Sequence, residues 1–66
     1  MNKELLKYHI LKNGDTVKTL AAFLGLHAGT LYKKISGESD FSTTEVAKIA
    51  KKYDLSDSLV VDIFLH

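Results

Sequence analysis

The chain has 66 residues, a net charge of +1 and no cysteine, so disulfide bonds and thiolate metal sites are excluded. A chain of this length is expected to form one domain, residues 1–66, and it buries only about 60% of the surface that its unfolded state exposes. No stretch approaches the roughly 20 apolar residues of a spanning helix, and the histidines His9, His27 and His66 lack metal-ligand spacing. We therefore expect a cytoplasmic protein without a metal or cofactor.

Capping signals and apolar spacing predict two helices in the first part of the chain. Asn2 is a candidate N-cap for a helix that runs through Lys12, and Asn13-Gly14 is the turn that ends it. Thr16 is the candidate N-cap of a second helix, because its hydroxyl can accept from the free N–H groups of the first turn. The apolar residues of that helix recur at i, i+3, i+4 and i+7: Val17, Leu20, Ala21 and Leu24.

A sharp turn is predicted between the second helix and a third. Gly25 follows the last apolar residue, where helices commonly end in a left-handed residue. Leu26 can enter the core from the turn, while Leu31 and Ile35 hold the third helix on the same core. The outward side chains are His27, Ala28, Gly29, Thr30, Tyr32, Lys33 and Lys34. A helix with a packed edge and a polar, cationic opposite edge is what a reader of the DNA major groove requires.

Two further helices are predicted in the second half. Gly37 ends the third helix, and Ser42 with Glu45 is a capping box for a fourth. Ser56 begins a fifth helix over the segment LVVDIFL, residues 59–65, whose β-branched run also suits a strand. The cap favours the helix. The predicted fold class is therefore all-α, a compact bundle of about five short helices.

The stretch VKTLAAFLGLHAGTLYKKISG, residues 17–37, resembles the helix-turn-helix of phage repressor and Cro-type regulators. The following GESDFSTTEVAKIAKKYDLS is similar to the next segment of small phage-encoded members, and the resemblance covers residues 6–64. It implies a lambda-repressor-like DNA-binding domain in which residues 17–24 brace the DNA backbone and residues 27–35 form the recognition helix. The chain departs from the family pattern in having Val17 where glutamine is frequent, and in having no Arg or Gln.

The charges are unevenly distributed along the chain. Residues 1–37 carry six Lys against two acidic residues, or +4, whereas residues 38–66 carry three Lys against six acidic residues, or −3. A polarised small domain can dock on phosphate with its basic face. The other interpretation is a chance scatter of solvated lysines, which is common on globular surfaces.

The candidate DNA contacts are Lys18, His27, Ala28, Gly29, Thr30, Tyr32, Lys33 and Lys34. Lys33 can donate to a guanine edge or a phosphate, and Lys34, nearer the core side, can reach the DNA backbone. The alternative is a pair of solvated lysines favoured by the helix dipole. Lys18 is either a phosphate clamp in the first turn of the second helix or a solvated side chain.

The other candidates also have two interpretations. His27 can contact DNA or cap the third helix. Thr30 can place its hydroxyl or methyl group against a base, whereas Tyr32 can contact DNA or lie along the protein surface. Gly29 can let the helix backbone approach the groove closely or can simply be tolerated. In the resembled family, long polar readers often occupy the positions of Ala28 and Gly29.

The leading functional prediction is a transcriptional regulator that binds double-stranded DNA and represses by occupying an operator. The alternative is a protein-interaction regulator on the same helical scaffold with little or no DNA binding. An enzyme is not expected, since no nucleophile, base and orienting group have triad-like spacing, and no membrane or small-molecule partner is expected. A homodimer is predicted through the C-terminal apolar residues, which can alternatively complete the core: Val60, Val61, Ile63, Phe64 and Leu65.

Overall fold

The computed structural model describes residues 1–65, so His66 lies outside the described part of the chain. Within that range there are five helices and no strand: α1 (Lys3–Lys12), α2 (Val17–Leu24), α3 (Ala28–Ser36), α4 (Thr43–Lys52) and α5 (Asp57–Phe64). The predicted all-α fold is confirmed, and the C-terminal segment is helical through Phe64 rather than extended. No helix in residues 1–65 is long and apolar enough to cross a membrane.

Side-chain caps determine where the helices begin. Asn2 caps α1, and Thr16 caps α2, as the sequence predicts. Ser42 and Glu45 form the predicted capping box: the Glu45 amide donates to Ser42 Oγ at 3.1 Å, and the Ser42 amide donates to Glu45 Oε1 at 2.9 Å. Ser56 caps α5. Each cap satisfies backbone N–H groups that have no partner within the helix and contributes about 1 kcal/mol.

Left-handed glycines end the two helices that surround the central turn. Gly25 has φ of 73° after α2, and Gly37 has φ of 88° after α3. The amide of Leu26 then donates to the carbonyl of Ala21 at 2.9 Å, which satisfies a carbonyl at the end of α2. The predicted left-handed turn at Gly25 is therefore confirmed, and it directs the chain from α2 into α3.

The core receives one completely buried large side chain from each helix. These five residues are Leu6, Leu20, Leu31, Ile49 and Ile63. The placement of Ile63 corrects one prediction, because a side chain with 0% exposure cannot contact a partner at a dimer surface. A small domain needs such residues inside. Of the other proposed dimer residues, Val61 and Leu65 are exposed, and Val60 and Phe64 are half-buried.

Candidate nucleic-acid interface

Helices α2 and α3 pack against each other more extensively than any other pair of helices, and the turn of residues 25–27 joins them. Ala21 of α2 is 1% exposed within the shared core, and Leu26 packs against that core from the turn. A small residue at position 21 permits close approach of the two helices. The result is a helix, a tight turn and a second helix whose far side faces solvent.

Helix α3 buries one face and exposes the other. Leu31 and Ile35 are 0% and 3% exposed, whereas Thr30, Tyr32 and Lys33 are exposed. Within residues 1–65 the Lys33 ammonium group has no hydrogen bond or ion pair, so its donors are available to a ligand. The anchored face fixes the orientation of α3 and therefore directs the exposed residues outward.

The residues in the first turn of α3 have small side chains or none. Ala28 is half-buried, and a Cβ built on Gly29 would meet no atom within 4 Å. Internal packing therefore does not require glycine at position 29. His27 is exposed at the N-cap position, but its side chain makes no capping hydrogen bond, so the capping interpretation is wrong and the imidazole is free of that role.

Lys34 lies next to Lys33 but its ammonium group is engaged within the protein. Lys34 Nζ is 3.0 Å from Glu45 Oε1 and donates to the carbonyl of Asp40 at 2.8 Å. The Ser42 backbone hydrogen bond, and after it the Lys34 ion pair, hold the pKa of Glu45 below its usual range against the opposing effect of burial. Lys34 thus links the end of α3 to the start of α4, a role that sequence analysis did not assign.

Asp15 makes a second set of contacts between separate parts of the chain that sequence analysis did not predict. Its Oδ2 accepts from the Tyr53 hydroxyl at 2.7 Å and lies 3.3 Å from Lys52 Nζ, while its Oδ1 accepts from Thr19 Oγ1 at 2.8 Å. The Tyr53 hydrogen bond is the largest effect that lowers the pKa of Asp15. Burial, and then the Asp15 carboxylate, raise the pKa of Tyr53. These contacts fix the first turn of α2, which carries exposed Lys18.

Tyr32 lies beside α1 as well as on the exposed face of α3. With Lys7, Leu11 and Val17 it lines a shallow groove of about 330 Å³, and 59% of the residue is exposed. Both predicted roles, contact with DNA and contact along the protein surface, are compatible with this position.

Among residues 1–65, no group of three or more His, Cys, Asp or Glu side chains is placed to hold a metal ion. The exposed α2–α3 face offers cationic and hydroxyl donors, among them Lys18, Thr30 and Lys33. Such donors suit the phosphates and base edges of nucleic acid.

Comparison with known families gives a match to the BetR domain over residues 2–64, nearly the whole chain. No curated protein and no solved structure gives a significant match. The match supports a small helical regulatory domain. The finer resemblance to phage repressor and Cro-type regulators stays a prediction.

Proposed function

Because the chain belongs to the BetR domain family, we propose that it is a sequence-directed DNA-binding transcriptional regulator that reads the major groove with α3. The observation that carries this proposal is the exposed, unpaired Lys33 on a helix anchored by buried Leu31 and Ile35. An anchored helix with a free cationic face can enter the groove without rearrangement of the core. The protein would act in the cytoplasm, the compartment that its cysteine-free sequence leads us to expect. By its resemblance to phage repressor and Cro-type regulators, it would repress by occupying an operator.

The reading residues in this proposal lie on the exposed face of α3. Lys33 donates to a guanine edge or a neighbouring phosphate, and the Thr30 hydroxyl or methyl group contacts a base. Gly29 lets the backbone approach the base pairs closely, since nothing within the protein fills the space at its Cβ position. Ala28 offers an apolar contact to a thymine methyl group.

Phosphate contacts in the proposal come from exposed residues beside α3. Lys18 in the first turn of α2 and His27 before α3 face solvent. Tyr32 supplies a hydroxyl to the DNA backbone. We propose that Lys34 contributes mainly by positioning α3, because a direct contact with DNA would compete with its ion pair to Glu45.

The alternative function, a protein-interaction regulator with little or no DNA binding, has two observations in its favour. Ala28 and Gly29 supply no polar side chain to the first turn of α3, and Glu45 neutralises Lys34. The helix therefore offers few side chains for reading bases. A regulator that uses this scaffold to bind another protein would not need them.

A salt titration of duplex binding distinguishes the two functions. If Lys18 and Lys33 each neutralise a phosphate, the logarithm of the association constant falls with the logarithm of salt concentration with a slope of roughly −2 per protomer. Selection of duplexes from a random pool would then report the preferred sequence. Failure to bind any duplex at low salt would overturn the DNA-binding proposal and favour the alternative.

We also propose that the protein binds DNA as a homodimer, because one helix reads only a few base pairs. Exposed Val61 and Leu65 of the C-terminal segment are the available apolar contacts, since Ile63 is buried. Two-fold pairing would place the recognition helices about 34 Å apart, one turn of the duplex, and would select a palindromic site.

A further inference from the structure

An open apolar groove of about 840 Å³ lies between α4, α5 and the segment of residues 37–41. Its apolar lining includes Phe41, Val46, Ala50, Val60 and Phe64, all half-buried. The Phe41 and Phe64 rings meet edge to face with centroids 5.4 Å apart, which gives the groove an ordered aromatic wall. Apart from Lys34, no residue proposed to contact DNA lines it.

The side-chain carboxylates of this groove make it acidic, although Met1, with its N-terminal ammonium group, also lines it. Asp40 and Asp57 both line it, and neither carboxylate has a hydrogen bond or ion pair within the described part of the chain. Lys34 also lines the groove, but Glu45 neutralises it at 3.0 Å. An apolar surface flanked by unpaired carboxylates is complementary to a partner with apolar anchors and cationic flanks.

We propose that this groove binds an amphipathic, cationic helix of a partner protein. A helix can insert apolar side chains spaced at i, i+3, i+4 and i+7 between α4 and α5, and lysines or arginines on its flanks then meet Asp40 and Asp57. The small side chain of exposed Ala47 lets the backbone of such a helix approach α4. This partner site is separate from the proposed DNA-binding face and does not depend on it, but Leu65 of the proposed homodimer surface also lines the groove, so a partner helix and a second protomer would compete there.

A second copy of the chain is the less suitable occupant. Two-fold pairing through the groove brings the same acidic surface of each protomer together, so the carboxylates of the two copies would share one interface. Like charges at an interface oppose association. A cationic helix instead gives both carboxylates a partner of opposite charge.

Two matched helical peptides test the charge preference on the full chain. Each has about 15 residues with leucine at i, i+3, i+4 and i+7 and alanine at the outward positions, and the positions that flank the leucines are lysine in one peptide and glutamate in the other. Fluorescence anisotropy of labelled peptide should show that the lysine peptide binds at least about tenfold more tightly. Equal affinities for the two peptides would overturn the proposal.

Two variants test the position of the site. Ala47→Trp places an indole ring in the groove and should weaken binding of the lysine peptide at least about tenfold, because the ring occupies the space that the leucine side chains of the peptide would fill. Ala22→Trp is the matched control, since Ala22 is an exposed alanine on α2 outside the groove. Thermal melts establish that both variants fold. Equal weakening by the two variants would place the peptide elsewhere and contradict the proposal.

A double variant separates charge from shape and stays informative if Ala47→Trp fails to fold. Asp40→Asn with Asp57→Asn changes only exposed residues, and it should abolish the preference for the lysine peptide over the glutamate peptide. A preference that persists in this variant would remove both carboxylates from the site. Concentration-dependent self-association that Ala47→Trp abolishes, without binding of the lysine peptide to the wild type, would assign the groove to a second copy and overturn the proposal.

Discussion

The Tyr53 hydroxyl donates a hydrogen bond to Asp15 Oδ2 at 2.7 Å, although the two residues are 38 positions apart in the chain. The bond joins the residue after α4 to the residue before the cap of α2. The same carboxylate lies 3.3 Å from Lys52 Nζ. The Asp15 side chain therefore attaches the start of α2 to the C-terminal half of the molecule. The start of α2 carries part of the proposed DNA-binding face.

Removal of this hydrogen bond is expected to destabilise the fold. Tyr53→Phe keeps the buried ring, which is 7% exposed, but removes the donor to a charged acceptor, so we expect a loss of about 1–3 kcal/mol in the free energy of unfolding. Urea denaturation measures the loss. Tyr8→Phe is the matched control, because the Tyr8 residue is 58% exposed. Equal effects of the two substitutions would show that the Asp15 contact contributes nothing to stability.

The contribution of Asp15 should also depend on pH. Its folded-state pKa is lowered from the ordinary value of 3.8, foremost by the Tyr53 hydrogen bond, so its stabilisation is present above that value and is lost as the pH falls through the folded pKa. Asp15→Asn should therefore be less stable than the wild type at pH 6, and the difference should shrink below about pH 4. A difference that stays constant from pH 6 to about pH 2 would contradict this linkage.

The turn at Gly25 provides a test of backbone conformation. Gly25 has φ of 73°, so Gly25→Val should destabilise the fold by more than about 1 kcal/mol. Gly29→Ala is the control, because a Cβ at either glycine meets nothing within 4 Å but Gly29 has an ordinary helical φ. We expect Gly29→Ala to be neutral or stabilising in thermal melts. An unchanged melting temperature for Gly25→Val would contradict the left-handed turn.

Lys33 should contribute to DNA binding whereas another exposed lysine, Lys48 on α4, should not. Lys33→Ala is expected to weaken binding by about 1–3 kcal/mol and to alter preference at one base pair if the side chain reads a base. A uniform loss across sequences would identify a phosphate contact. Lys48→Ala removes the same charge from the exposed surface of α4 and is the control. An unchanged affinity of Lys33→Ala for every duplex would exclude Lys33 from the interface.

Local signals predict most of the fold, because caps and apolar spacing act within a few residues. The caps at Thr16 and Ser42 and the left-handed Gly25 are all found where the sequence places them. The contact between Asp15 and Tyr53 could not be predicted in this way, because it depends on how α2 and α4 pack. No local pattern marks which of many polar residues will meet across the core.

The candidate site was likewise predictable where local spacing decides and not predictable where packing between helices decides. The outward face of α3 follows from the spacing of Leu31 and Ile35, which the structure buries. The sequence does not predict that the ammonium group of Lys33 is free whereas that of Lys34 is paired, since both are lysines near the end of α3. The difference arises because the start of α4 brings Glu45 within 3.0 Å of Lys34 Nζ. The acidic groove likewise appears only when α4 and α5 are placed side by side.

The homodimer proposal predicts a specific response to charge on α5. Val61 is 41% exposed, and Val61→Glu should abolish two-fold association because it buries a carboxylate against its symmetry mate. Thr44→Glu adds the same charge at an exposed position of α4 and should leave association unchanged. Sedimentation across a concentration series, with and without a palindromic duplex, makes the measurement. A wild type that remains monomeric in both series and binds an unpaired half-site would show that Val61 and Leu65 do not join two protomers.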